Sequence, residues 1–143
     1  MTLPLLTLLG FASWTLIILI ATVGVYRWKL ILTGRAQIHA FPPDAPSGPD
    51  WYRRATRAHL NCVENLPVYA SIVVVLSLVG LKGPAVETLC CIVLCARVCQ
   101  TLVHVGFAQT ARVVSVRFSF FTLQLLSMLG LVCLISASLH GRV

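Results

Sequence analysis

Four apolar runs, each long enough to cross a bilayer as a helix, decide most of what this chain can become. They lie at about Leu3 to Tyr26, Leu60 to Leu81, Pro84 to Phe107 and Val113 to Leu139. Each reaches the roughly 20 residues that a helix needs to span about 30 Å of hydrocarbon. Backbone in lipid must satisfy its own hydrogen bonds, so runs of this length predict helices. Of the 143 residues, 58% are hydrophobic and only 10% charged, against about a quarter charged in a soluble domain. The sequence therefore predicts an all-α integral membrane protein, a four-helix bundle forming one domain over residues 1–143. The first run lacks the basic start and the cleavage site of a signal peptide, and its apolar stretch is too long for one, so it is expected to remain as a span. No fixed-period repeat is visible. The stretch "FPPDAPSGPD", Phe41 to Asp50, carries four prolines, a glycine and two aspartates, which predicts non-helical chain within a loop over residues 27–56.

The basic residues are unevenly placed. Arg27, Lys29, Arg35, Arg53, Arg54 and Arg57 surround the first connection, and Arg112 and Arg117 the third, whereas the other side carries Lys82 and Arg142. By the positive-inside rule both basic connections face the cytoplasm and both termini face away from it. Arg27, Lys29 and Arg142 read as anchors snorkelling to headgroups of membrane lipids. The charges line helix ends without an aromatic-interleaved basic surface, which argues against a nucleic-acid partner. The sequence suits a bacterial inner membrane and an endoplasmic reticulum equally.

Six cysteines raise the question of a metal or disulfide. Cys91, Cys95 and Cys99 recur every fourth residue and stripe one face of the third helix, without the paired spacing of a zinc site. They are expected to be packing residues, because small side chains let helices approach closely in lipid. Cys62 is expected near the cytoplasmic surface and is the most reactive candidate.

The second run opens with "RAHLNCVENLP", which brings a cation, an amide and an anion to a membrane helix. At about 100° per residue, Arg57, Asn61 and Glu64 fall within a sector of roughly 60°, with Arg53 at its edge. Ionisable groups inside a span normally face the bundle interior or a water-filled cavity. They could equally neutralise one another to hold the bundle together. His59 points elsewhere and reads as interfacial. On the third helix, Arg97, Gln100, Thr101 and His104 share one sector, almost opposite the cysteine stripe. The fourth begins with Arg117, with Phe121 and Gln124 above it on the same side. Glu64 is the main carboxylate available to Arg57, Arg97 and Arg117, so positive potential is left over. The implied ligand is small, anionic and hydrogen-bonding, and Glu64 could accept its ammonium or amide.

The stretch "RRATRAHLNCVENLPVY" resembles the signature of the membrane-associated proteins in eicosanoid and glutathione metabolism, the MAPEG family. It has the arginine, the R-A-H, the asparagine, the glutamate and the proline in order, and length and span number agree over nearly the whole chain. The resemblance implies a homotrimer of four-helix subunits that binds glutathione as cosubstrate between neighbouring subunits near the cytoplasmic side. It implies that Arg57, Asn61 and Glu64 contact glutathione, that Arg97, Gln100 and His104 lie on the matching helix, and that Arg53 and Phe121 border the site. It also implies that an arginine at the start of the fourth helix, here Arg117, stabilises the thiolate. Active relatives place a tyrosine one turn beyond that arginine, where "VRFSFFTLQ" offers Phe121 and then Thr122. An ungapped match would put Val113 at the arginine's position. The family's transferases add the thiolate to a lipophilic electrophile, and related members isomerise substrates, reduce peroxides or bind lipids without catalysis. A glutathione transferase and a non-catalytic lipid-binding trimer both remain open. A small four-span multidrug transporter would need a carboxylate in the first span, and "LLTLLGFASWTLIILIATVGVY" has none.

Overall fold

The computed structural model describes residues 2–41 and 47–141. The anchoring role expected of Arg142, and residues 42–46 of the proline-rich stretch, lie outside the described residues. The chain forms four long antiparallel rods, all long and apolar enough to cross a membrane, with mean hydropathy of 1.8 to 2.2 in their most apolar windows.

The first rod begins at Leu3, with Pro4 in the opening turn, where a missing N–H costs nothing. It runs as α1 (Leu3–Ile18), widens into a π-helical turn (Leu19–Gly24) and returns to α-helix as α2 (Val25–Leu32). A Cβ on Gly24 would sit 3.2 Å from the Leu19 carbonyl oxygen, so glycine suits the crowded end of this turn. The second rod, α3 (Asp50–Val79), passes through Pro67 without breaking. It ends on Gly80 at a φ of 69°, while the Leu81 N–H returns to the Leu76 carbonyl. Glycine enters that left-handed conformation without a Cβ penalty. Helix α4 (Pro84–Gly106) again starts on proline. Thr110 caps α5 (Ala111–His140), its Oγ1 accepting from the Val113 N–H at 3.3 Å.

Helices α4 and α5 share the most extensive contact, and α1 packs against both α3 and α4. Phe11, Tyr69, Val73, Leu76, Val93 and Leu131 fill the centre. Two buried hydroxyls there are paired: the Tyr69 hydroxyl and Thr7 Oγ1 lie 2.7 Å apart, and Thr7 also donates to the Pro4 carbonyl. Large aliphatic side chains such as Leu32, Ile20 and Leu78 point outward, as lipid-facing surface requires.

Helix takes over both ends of the stretch expected as loop 27–56, because α2 continues to Leu32 and α3 starts at Asp50. The cause is an aromatic clasp. Tyr26 and Tyr52 stack with ring centroids 4.3 Å apart, and Trp51 meets Tyr26 edge-on. Arg27 Nε donates to the Tyr52 hydroxyl at 2.8 Å, with the guanidinium 5.3 Å from the Phe41 ring centroid. Arg27 is thus pinned between helices instead of snorkelling freely, while Lys29 is exposed as expected of an anchor. Apolar runs end before such helices do, since aromatic and basic residues populate the interface.

Candidate functional site

Helix α4 supplies the buried polar residues. Arg97 and His104 are 1% exposed, Thr101 2% and Gln100 6%. Their spacing places them together on the face that α4 turns toward α1 and α3, so the expected shared sector points into the chain's own core. Arg97 Nη1 donates to Gln100 Oε1 at 2.7 Å, and its guanidinium carbon lies 5.5 Å from the Phe11 ring centroid. Thr101 Oγ1 donates to the Arg97 carbonyl at 2.8 Å and meets Cys62 Sγ at 3.6 Å. The Glu64 carboxylate acts electrostatically on Arg97, and the Cys62 thiol lies beside it. Two Arg97 nitrogens, Nε and Nη2, are buried without a hydrogen-bond partner.

A second group lies nearer the helix ends. Arg117, Arg57 and Arg54 all act electrostatically on His104, whose Nε2 is buried and unpartnered. Arg117, on the first turns of α5, is partly buried beside Arg57 and leaves its Nε unpartnered. Arg54 Nη2 reaches the Val105 carbonyl at 3.4 Å, which ties α3 to the last turn of α4. Three guanidiniums therefore lie near enough to act on one imidazole. Among the described residues the one ion pair is Arg53 with Asp50, so the cluster has no paired carboxylate of its own. Positive charges held together, with Arg54 and Arg117 partly buried and Arg57 exposed, create a potential that an anion relieves.

Arg57 and Glu64 are exposed on the single chain and Asn61 is half-buried. Arg53 is also exposed, held by Asp50 across one helical turn. Phe121 is partly buried, and Gln124 is 1% exposed. Gln124 Nε2 points to Asn65 Oδ1 at 3.5 Å, Asn65 Nδ2 donates to the Asn61 carbonyl at 2.8 Å, and Gln124 Oε1 has no partner. These amides join α5 to α3 about two turns inward of Arg57 and Arg117. Arg54 and Asn65 escaped sequence reasoning as site residues. Arg54 lies one turn before Arg57 and Asn65 four residues after Asn61, so the helical spacing that found their neighbours also reaches them.

Two expectations need correction. Cys62 is fully buried against Thr101, because α3 turns it toward α4, so it is not an accessible surface thiol. Within the stripe, Cys95 is exposed, and Cys91 and Cys99 are only partly covered; it is Cys90, one residue out of the stripe, that is buried in the core. All six cysteines are free thiols. His59 is half-buried beside Thr15 of α1, away from the arginine cluster.

The family model described as the MAPEG family matches residues 4–137. No curated protein and no solved structure matches the chain.

Proposed function

The chain belongs to the MAPEG family, and on that premise we propose that it binds glutathione at the arginine-rich end of the bundle and activates it for addition to a lipophilic electrophile. The observation that carries this reading is the gathering of Arg54, Arg57 and Arg117 at the end of the bundle that holds buried His104, where Arg54 reaches the Val105 carbonyl and none of the three has an ion-paired carboxylate. Glutathione brings two carboxylates, one ammonium and one thiol. Arg57 takes a carboxylate and Glu64 the ammonium, each through a charge-assisted hydrogen bond, while Arg97, enclosed in the chain's own core, adds positive potential from behind them. Asn61, Gln100 and His104 supply the neutral hydrogen-bonding groups, and Arg53 and Phe121 border the site.

Arg117 is the thiolate stabiliser. A thiol of ordinary pKa, about 8.5, is only a few per cent ionised at neutral pH, and lowering it by about two units takes about 2.7 kcal/mol of differential stabilisation. A partly buried guanidinium facing the sulfur is suited to supply that. The sulfur lone pair then forms a carbon–sulfur bond while a leaving group departs with its electron pair, or a polarised double bond takes up the pair and a proton. The lipophilic substrate enters laterally from the bilayer.

Arg57 and Glu64 are exposed on one chain, Arg57 just before and Glu64 inside the apolar run of a helix long enough to span a membrane. That supports a homotrimer in which the neighbouring subunit covers them and completes the site. Both termini then face away from the cytoplasm and the arginine cluster lies at the cytoplasmic surface. A second reading, a non-catalytic lipid-binding trimer, is favoured by Phe121, which removes the hydroxyl expected one turn beyond Arg117. Calorimetric titration of detergent-solubilised protein with glutathione, followed by a thiol-conjugation assay, tests both. Binding with conjugation supports the transferase, binding of lipid without glutathione supports the second reading, and binding of neither overturns the site.

A further inference from the structure

The end of the bundle opposite the arginine cluster holds a partly open cavity of about 530 Å³, between the first turn of α1, the last turn of α3 and the first turn of α4. That volume falls within the roughly 300–1,000 Å³ of small-molecule sites. Leu3, Leu76, Leu81 and Val86 form apolar walls, and Ser77, Lys82 and Glu87 bring polar groups. Among the described residues neither Lys82 nor Glu87 takes part in an ion pair. Both side chains are exposed, so one cation and one anion border a single cavity without a direct ion pair.

One helix end adds to the cationic side. The opening turn of α1 borders the cavity with neither a side-chain cap nor an acidic residue, whereas that of α4 carries Glu87. The unsatisfied N–H groups of α1 favour an anionic oxygen. Leu5, which also lines the cavity, and its neighbour Leu6 are exposed, so the apolar wall continues onto the outward surface of α1. The occupant that fits is an amphiphile with its tail along α1 and both charges in its head.

We propose that this cavity is a binding site for one bilayer phospholipid whose headgroup carries a phosphate and a primary ammonium, as phosphatidylethanolamine does. Lys82 and the start of α1 face the phosphate. Glu87 accepts from the ammonium, which a quaternary ammonium cannot match because it has no N–H. The apolar walls select a lipid over a soluble zwitterion of the same charge pattern. The site is separate from the arginine cluster and independent of the glutathione reading.

The test places the full chain in nanodiscs containing equal parts of phosphatidylethanolamine, phosphatidylcholine and phosphatidylglycerol, and measures retained lipid by native mass spectrometry after release. The wild type retains phosphatidylethanolamine preferentially. Loss of a charge-assisted hydrogen bond corresponds to roughly a tenfold change, so Glu87→Gln brings its retention down toward that of phosphatidylcholine. Lys82→Ala lowers retention of both zwitterionic lipids. Ser77→Trp, which fills the cavity and leaves both charges in place, also releases the lipid, and its helical circular dichroism confirms an intact bundle. Equal retention of all three lipids by the wild type, or phosphatidylethanolamine retention unchanged in these three variants, overturns the proposal. Retention that soluble glycerophosphoethanolamine competes away would assign the site to a free zwitterion and overturn the choice of a bilayer lipid.

Discussion

Arg97 and Gln100 form a buried cation–amide pair inside α4, with Nη1 donating to Oε1 at 2.7 Å while Nε and Nη2 of the same guanidinium stay unpartnered. The pair sits between Phe11 of α1 and the Cys62 face of α3. A charge this well enclosed is costly when it loses a partner, and its replacement by an apolar residue can be neutral or stabilising.

Stability should therefore respond asymmetrically. Gln100→Leu removes the one side-chain acceptor of Arg97 and should cost about 1 to 3 kcal/mol. Adding Arg97→Leu to that variant should recover most of the loss, because no stranded donor remains. Thermal unfolding of the two single variants and the double variant in one detergent measures the coupling. Additive losses would mean that the pair does not act as a unit.

Glutathione affinity should depend on the two exposed charges of α3. Glu64→Gln and Arg57→Ala should each weaken binding by about 1.5 to 3 kcal/mol, the worth of a hydrogen bond to a charged group. Calorimetry on folded variants reads this directly. Unaltered affinity would leave Arg57 and Glu64 with a purely structural role.

Those same two residues carry the expectation of assembly. Exposed charges within a span are expensive against lipid, so a neighbouring copy should cover them, and mass measurement in mild detergent should give three chains. A monomer that binds glutathione with full affinity would remove the shared site.

Much of this arrangement was legible because helical geometry is local. The i, i+3, i+4, i+7 spacing of Arg97, Gln100, Thr101 and His104 puts them on one face in any α-helix, and all four are buried together. What spacing cannot give is the rotation of one helix against another. That rotation buries Cys62 and leaves Cys95 exposed, and it turns Arg57 and Glu64 outward while Arg97 turns inward. The π-helical turn at Leu19–Gly24 was equally invisible, since its run of apolar residues reads as ordinary α-helix. Helix ends were missed where apolar composition stops but aromatic packing continues, at Tyr26, Trp51 and Tyr52.

Phe121 tests how the fourth helix meets the sulfur. It is partly buried one turn beyond Arg117, and a hydroxyl there would lie on the same face as the guanidinium. Phe121→Tyr should therefore raise conjugation activity or leave it level. A marked loss of activity with the oligomer intact would show that the ring packs against apolar substrate or lipid and that the hydroxyl has no place in the site.

The most direct test is the thiolate absorbance band of glutathione bound to the solubilised protein, followed as a function of pH in the wild type and in Arg117→Ala. An interaction made with the thiolate and weak with the thiol changes ionisation more than affinity. The wild type should show the band well below the pH at which free glutathione ionises, and Arg117→Ala should move it back toward the free value while glutathione still binds. A bound thiol that ionises as in free solution in the wild type, or a band unmoved by the substitution, would contradict the assignment of thiolate activation to Arg117.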